Sequence, residues 1–301
     1  MKKMSGVFIP MVTPFMNADE IDVSSLHRFI DHLIDSGMDG LYPCGSMGEM
    51  MYMSAAERKL VAEETVKHAA GRVPVFVMVG ANTLRDTVEL AQHAAAIGAD
   101  GVGVVTPSYY QLTDRSLVGF FTAVAQSVPE DFSVYLYGIP QCAVNDITPQ
   151  VAAQVAAANK NVVGIKYSYP DFNRMQEFIN INGGSFSVLS GVEPMFQALC
   201  QVGGEGVIAG NAAVIPEHYR QLWAAIRGGD VELATKLQRR TNVLNAVLAG
   251  PSAIAHLKAA LKRMGIFTTS NVRKPMNSLT PEEEAALFAK LDELRYDQVL
   301  I

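Results

Sequence analysis

Short apolar runs alternate with segments of helical periodicity along most of the chain, and the alternation repeats eight times before strand-like runs cease. These observations predict an α/β protein: a (β/α)8 TIM barrel over residues 1–229 with a C-terminal helical extension over residues 230–301. The span to residue 229 is close to the ~250 residues usual for such a barrel. A hydrophobic content of 49% in 301 residues is ample for a substantial core.

Residues 6–12 read as the first strand, followed by a helix over 23–36 in which Leu26, Phe29, Ile30 and Leu33 recur at helical spacing. A second strand is expected at 39–43. The next helix starts near Ser54, where Ser54-Ala55-Ala56-Glu57 is a capping-box pattern: the serine oxygen and the glutamate satisfy free amides at the helix start. Strands at 75–79, 101–105 and 133–137 are separated by helices at 83–97 and 114–127, and a helix at 148–158 leads into the sixth strand. That strand is Asn161-Val162-Val163-Gly164-Ile165-Lys166-Tyr167-Ser168, an apolar run ending in an amine. A helix at 172–181, a strand at 185–189, a helix at 194–202 and a strand at 206–209 complete the series. The tail reads as about three helices, broken near Gly250-Pro251 and over 265–280. Thr280-Pro281-Glu282-Glu283 starts the last of them, with a threonine cap, proline in the first turn and acids on the helix dipole.

The balance of 24 basic against 30 acidic residues gives a formal charge of −6, with no basic block or aromatic-basic stripe to suggest nucleic acid. A small-molecule ligand is the expected partner. Three widely spaced cysteines, Cys44, Cys142 and Cys200, point away from a disulfide framework and toward a reducing compartment, the cytoplasm by default. The first residues read as a strand interrupted by Pro10 and Pro14, not as a signal peptide, and no run approaches membrane-spanning length. The six histidines all fall in helix-like segments, so no metal constellation is expected.

In such barrels chemistry collects where strands end. Lys166 closes the sixth strand, whereas the other lysines fall in segments that read as helix surfaces, loops or the N-terminus. Desolvation disfavours an ammonium, which is how a lysine becomes an amine able to condense with a carbonyl. The second strand ends in Cys44-Gly45-Ser46-Met47-Gly48-Glu49, whose glycines allow close backbone approach and whose amides suit a carboxylate. Tyr109 follows the fourth strand and Tyr137 ends the fifth, and phenols can shuttle the protons that imine chemistry requires.

Four motifs, Gly45-Ser46-Met47-Gly48-Glu49, Tyr137-Gly138-Ile139-Pro140, Gly164-Ile165-Lys166 and Gly206-Val207-Ile208-Ala209-Gly210, together with the Tyr109 region, carry a resemblance along nearly the whole chain. In order and spacing the sequence resembles the dihydrodipicolinate synthase/N-acetylneuraminate lyase family of pyruvate-dependent class I aldolases. The resemblance implies that Lys166 forms a Schiff base with a 2-oxo acid, without a cofactor or metal, and that Tyr137 transfers protons and helps bind the carboxylate. It also implies a relay of Ser46 with Tyr109, the latter often lent by a neighbouring subunit. Backbone amides of residues 46 and 47 then hold pyruvate, Ile208 lines the pyruvyl pocket, and the assembly is a homotetramer built as a dimer of dimers.

Departures from that pattern narrow the substrate. Met47 replaces a hydroxyl residue, Gly138 stands at the asparagine position of the family's Tyr-Asn-x-Pro turn, and Cys142 stands where synthases carry an arginine for the second substrate, so a bidentate charged contact is lost there. The loop Tyr167-Ser168-Tyr169-Pro170-Asp171 looks like that of sugar-acid lyases, which makes Ser168 a candidate contact. Gly191 and Glu193 are further substrate-binding candidates, Glu193 reading equally well as a helix-start acid. The expected reaction is reversible retro-aldol cleavage of a 2-keto-3-deoxy sugar acid to pyruvate and an aldehyde. Alternatives are 4-hydroxy-tetrahydrodipicolinate synthase, N-acetylneuraminate lyase, a keto-deoxy sugar acid dehydratase and, outside enzymes, a silent ligand-binding barrel. The methionines Met47, Met50, Met51 and Met53 suggest a subunit contact or an apolar pocket wall.

Overall fold

Continuous apolar runs give strands buried on both faces. In the computed structural model, which describes residues 1–17 and 19–300, every residue of every strand is buried. Ala18 and Ile301, the last residue of the expected extension, lie outside the described residues. The strands are β1 (Gly6–Pro10), β2 (Gly40–Tyr42), β3 (Phe76–Met78), β4 (Gly101–Val105), β5 (Ser133–Gly138), β6 (Val162–Tyr167), β7 (Ser187–Ser190) and β8 (Gly206–Ile208). They form one eight-stranded sheet in the order β2-β1-β8-β7-β6-β5-β4-β3. From β4 to β8 each strand neighbours its predecessor, β8 returns to β1 and β1 pairs β2. Only β2 and β3, at the two ends of the order, are not paired with each other, and the order is otherwise that of the predicted (β/α)8 barrel.

The helices are α1 (Val23–Asp35), α2 (Ala55–Ala69), α3 (Leu84–Ala96), α4 (Asp114–Gln126), α5 (Pro140–Ala143), α6 (Pro149–Ala158), α7 (Phe172–Ile179), α8 (Phe196–Gln201), α9 (Pro216–Gly228), α10 (Val231–Leu248), α11 (Ala253–Arg263) and α12 (Pro281–Glu293). The predicted capping box forms at Ser54 with Glu57, and the expected threonine cap at Thr280 is itself a full capping box with Glu283. The seventh strand starts two residues later than its sequence suggests. A 3-10 turn over Ile181–Gly184, with Asn182, Gly183 and Gly184 at positive φ, takes up the chain before it. The helix expected at 194–202 is shorter because Glu193–Met195 forms a separate 3-10 turn. The short α5, entered through Pro140, has no periodic signal in four residues.

The chain divides into two compact units, Met1–Phe8 with Pro74–Ile208, and Ile9–Val73 with Ala209–Ile301. In the first, side chains of adjacent strands stack in layers. The Tyr135 hydroxyl accepts from the Met4 amide at 2.8 Å and donates to Ser187 Oγ at 2.9 Å. Burial pushes that phenol far above its ordinary pKa, so it stays a donor.

In the second unit the expectation that lysines other than Lys166 sit on surfaces or in loops fails at Lys258. Its side chain, on α11, is fully buried and paired with the equally buried Glu49 carboxylate. Nearby, Arg273 Nη1 donates to Glu57 at 2.9 Å. That bond is the main reason the Glu57 carboxyl is held at about 2, below its ordinary 4.5. The unfolded chain takes up this proton at the higher pH, so the stabilisation is whole above 4.5 and lost as pH falls toward about 2. Urea unfolding followed between pH values of about 5 and 2 is expected to show a steeper acid loss for the native protein than for Glu57→Gln.

Candidate active site

Side chains alternate faces along a strand, so Gly164, Lys166 and Ser168 share one side of β6 while Ile165 and Tyr167 share the other. Strand register sets Gly164 beside Tyr135 and Ser187, and Lys166 beside Tyr137 and Leu189. A Cβ on Gly164 would lie 2.3 Å from the Ser187 carbonyl oxygen and 2.5 Å from the Tyr135 ring, so only glycine fits that layer. In the next layer Lys166 Nζ lies 4.1 Å from the centroid of the Tyr137 ring. Both residues are buried, with 5% and 1% of their surface exposed. An aromatic face attracts positive charge, whether an ammonium or an iminium nitrogen.

Ser168 extends β6: its amide donates to the Gly138 carbonyl at 2.8 Å, and the Gly191 amide donates to the Tyr167 carbonyl at 2.8 Å. A Cβ on Gly191 would fall 1.8 Å from Ser168 Oγ and 3.1 Å from Lys166 Cε. Gly191 therefore makes the space that the serine hydroxyl and the lysine arm occupy. Gly191→Ala is expected to displace the hydroxyl, crowd the amine and lower kcat/KM roughly tenfold or more. Steady-state kinetics with pyruvate release as readout checks this.

Gly138, a departure from the resembled pattern, has a physical cause. A Cβ there would meet the Tyr167 ring at 2.7 Å, so the ring that follows Lys166 fills the space a side chain would take. The Tyr167 hydroxyl donates to Asp146 at 3.0 Å, and Arg174 bonds both Asp146 and, at 3.1 Å, the hydroxyl. Burial and then the Asp146 charge push the Tyr167 phenol up, which keeps its proton in place. This network braces the strand carrying Lys166 from its far face.

The remaining predicted residues of this unit are placed as follows. Ile208 ends β8 and is buried. Glu193 is half-buried at the start of the 3-10 turn after β7, the helix-start position. Cys142 is exposed on α5 with a free thiol. Tyr109 is 80% exposed in the loop after β4 and has φ of +79°. A left-handed backbone at a bulky residue costs on the order of 1–3 kcal/mol and persists only where the surroundings enforce it.

In the second unit, Ser46 and Met47 lie half-buried in the loop after β2. The loop is a tight turn: the Gly45 carbonyl accepts from the amides of Gly48 at 3.0 Å and Met50 at 3.3 Å. Thr13 Oγ1 donates to the Gly48 carbonyl at 2.9 Å. Among the described residues nothing accepts from the backbone amides of Ser46 and Met47, which leaves both donors available to an anion. Met47 packs over Gly210: its Cε would be 3.5 Å from a Cβ placed there, with Leu257 at 3.6 Å. The Met47 thioether thus fills space over a glycine. The loop ends at Glu49, left-handed at φ +63° and bonded by Lys258 and the Arg273 amide. Lys258, Asn145, Asp146 and Arg174 escaped sequence reasoning; the small Gly138 against the large Tyr167 was the available signal for the last two.

A parallel barrel with a buried lysine and phenol on adjacent strands is an arrangement found in α/β-barrel enzymes. The chain belongs to the dihydrodipicolinate synthetase family, whose sequence profile matches residues 3–294. Members of this family are lyases that use a lysine Schiff base with pyruvate and no added cofactor. A probable 2-dehydro-3-deoxy-D-pentonate aldolase of Escherichia coli (strain K12) is 34% identical over 289 residues, covering 95% of each chain. A 4-hydroxy-tetrahydrodipicolinate synthase of Acidiphilium cryptum (strain JF-5) is 35% identical over 289 residues, covering 96% of this chain and 98% of the relative. The crystal structure of dihydrodipicolinate synthase from Aquifex aeolicus superposes with a TM-score of 0.92 at 31% identity, covering 97% of this chain and 99% of that one. A prophage protein of the same family from E. coli K12, solved in complex with pyruvate, also gives 0.92, at 29% identity and coverage of 98% and 100%. Among the described residues no group of three or more His, Cys, Asp or Glu is arranged to hold a metal ion, and no single helix is long and apolar enough to cross a membrane.

Proposed function

We propose that the protein is a metal-independent Schiff-base aldolase that reversibly cleaves a 2-keto-3-deoxy sugar acid to pyruvate and an aldehyde. The buried Lys166 amine over the Tyr137 ring, at the ends of adjacent strands, is the observation that carries this reading. Lys166 adds to the C2 carbonyl, and proton transfers through Tyr137 release the oxygen as water and leave an iminium. A base removes the C4 hydroxyl proton and the C3–C4 bond breaks. Its electron pair moves into the iminium, giving an aldehyde and an enamine of pyruvate. Protonation at C3 and addition of water at C2 then free pyruvate and the amine.

We assign Ser46 and Tyr109 to the proton relay serving Tyr137, and the amides of Ser46 and Met47 to the substrate carboxylate. Ile208 and Gly191 border the pyruvyl group, while Ser168 and Glu193 receive the hydroxylated part of the substrate. The catalytic barrel is residues 1–229, with 230–301 as its extension. A cytoplasmic homotetramer, paired as two dimers, completes the reading; the exposed Tyr109 and Tyr110 rings support such pairing.

The sugar-acid substrate is supported by Cys142, which offers no charge to a second carboxylate, and by the similarity to a pentonate aldolase. The synthase reading is supported by relatives of that name at comparable identity. The buried Lys166 amine held against the Tyr137 ring favours a working enzyme over a silent barrel, because the nucleophile and the phenol remain together. Pyruvate release measured across 2-keto-3-deoxy pentonates and hexonates, N-acetylneuraminate and, in the synthetic direction, aspartate semialdehyde tests the substrate. A keto-deoxy acid is expected to be cleaved best. Preference for aspartate semialdehyde, or loss of water without pyruvate release, would overturn it.

A further inference from the structure

We infer that Asn145 is a positioning residue for Tyr109, tying the loop that follows Tyr137 to the loop that presents the second phenol. The inference deepens the assignment of Tyr109 to proton transfer and rests on it. Asn145 lies between α5 and α6, on the loop that leaves β5 just after Tyr137, and only 4% of it is exposed. Its side-chain amide donates to the carbonyls of Pro107 and Tyr110, each at 2.8 Å, and its Oδ1 accepts from the Leu112 amide at 2.8 Å. Thr106 Oγ1 donates to the Asn145 backbone carbonyl at 3.1 Å. Both amide hydrogens and the side-chain oxygen are therefore spent on the backbone either side of Tyr109.

A second brace comes from Asn82, whose Oδ1 accepts from the amide and hydroxyl of Ser108 at 2.9 and 2.8 Å. Inside this frame Tyr109 holds its φ of +79° while the residue stays 80% exposed, its ring edge-on to that of Tyr110 at 5.0 Å. An exposed ring returns little burial energy for a left-handed backbone. The bonds from Asn145 instead hold the strained turn from beneath, so the phenol is presented at a fixed distance from its own buried anchor. Because Val144, the residue before, is itself at φ +67°, the anchor is constrained as well.

The test uses pyruvate as probe, with solvent deuterium exchange at its C3 read by NMR, so no assumption about the sugar acid enters. Asn145→Asp is near-isosteric but removes both donors to the carbonyls; Asn145→Ala is the second variant, and thermal melting confirms that each is folded. Each is expected to lower the kcat of exchange roughly 10–100-fold, with KM for pyruvate within about twofold of the parent. Tyr109→Phe is expected to fall similarly, and Tyr109→Phe combined with Asn145→Asp no further, because both act through one phenol. Parental kcat in folded Asn145 variants, or losses that multiply in the combined variant, would overturn the inference while leaving the role of Tyr109 standing. Parental exchange in Tyr109→Phe would overturn that role and the inference with it.

Discussion

Lys166→Arg is expected to form no pyruvate adduct and to lose at least ~10³-fold in kcat, about 4 kcal/mol of transition-state stabilisation. A guanidinium retains the positive charge and hydrogen-bonding capacity of the ammonium but cannot become an imine nitrogen. The substitution therefore separates covalent chemistry from electrostatic attraction by the Tyr137 ring, which lies 4.1 Å from the native nitrogen. If charge placement alone drove the reaction, arginine would retain much of the rate. Lys166→Met, which fills similar volume without charge, is expected to be as inactive as arginine. Equal loss in the two variants, measured by pyruvate release, identifies the covalent step as the indispensable one.

Lys258→Met is expected to destabilise the protein by about 3–5 kcal/mol, because removing one partner leaves a charge buried without compensation. Lys258 donates to Glu49 and, at 2.7 Å, to the Asn271 carbonyl, and its nitrogen lies 4.2 Å from the centroid of Phe15. Burial pulls its pKa down to about 8, with the Glu49 carboxylate pulling the other way. The other Glu49 oxygen accepts from the Arg273 amide at 2.8 Å. After the substitution Glu49, at the end of the loop holding Ser46 and Met47, would keep only that last bond among those named. The combined change Glu49→Gln with Lys258→Met is expected to recover part of the loss, since no net charge then remains buried. Urea unfolding of the single and combined variants checks both values; a cost below ~1 kcal/mol for Lys258→Met would contradict the role given to the pair.

The strands and the eightfold alternation were legible because parallel strands covered on both faces write continuous apolar runs, as at 101–105 and 162–167. Capping at Ser54 and Thr280 was legible because the capping box lies within four consecutive residues. Lys166 stood out because an amine closing an apolar strand breaks the pattern. What escaped depends on partners distant along the chain. Glu49 and Lys258 are separated by 209 positions, and Lys258 on its helix looks like any solvated lysine until its carboxylate is found. Asn145 in a loop carries no periodicity, and its role exists only through the carbonyls at 107 and 110. Gly138 looked irregular alone and becomes intelligible only beside the Tyr167 ring.

Borohydride reduction in the presence of pyruvate, followed by peptide mass spectrometry, addresses the imine directly. One reduced pyruvyl group per chain, on the peptide containing Lys166 and absent from Lys166→Arg, is the expected result. No adduct, or an adduct located on another lysine such as Lys258, would contradict the assignment of Lys166 as the imine-forming residue.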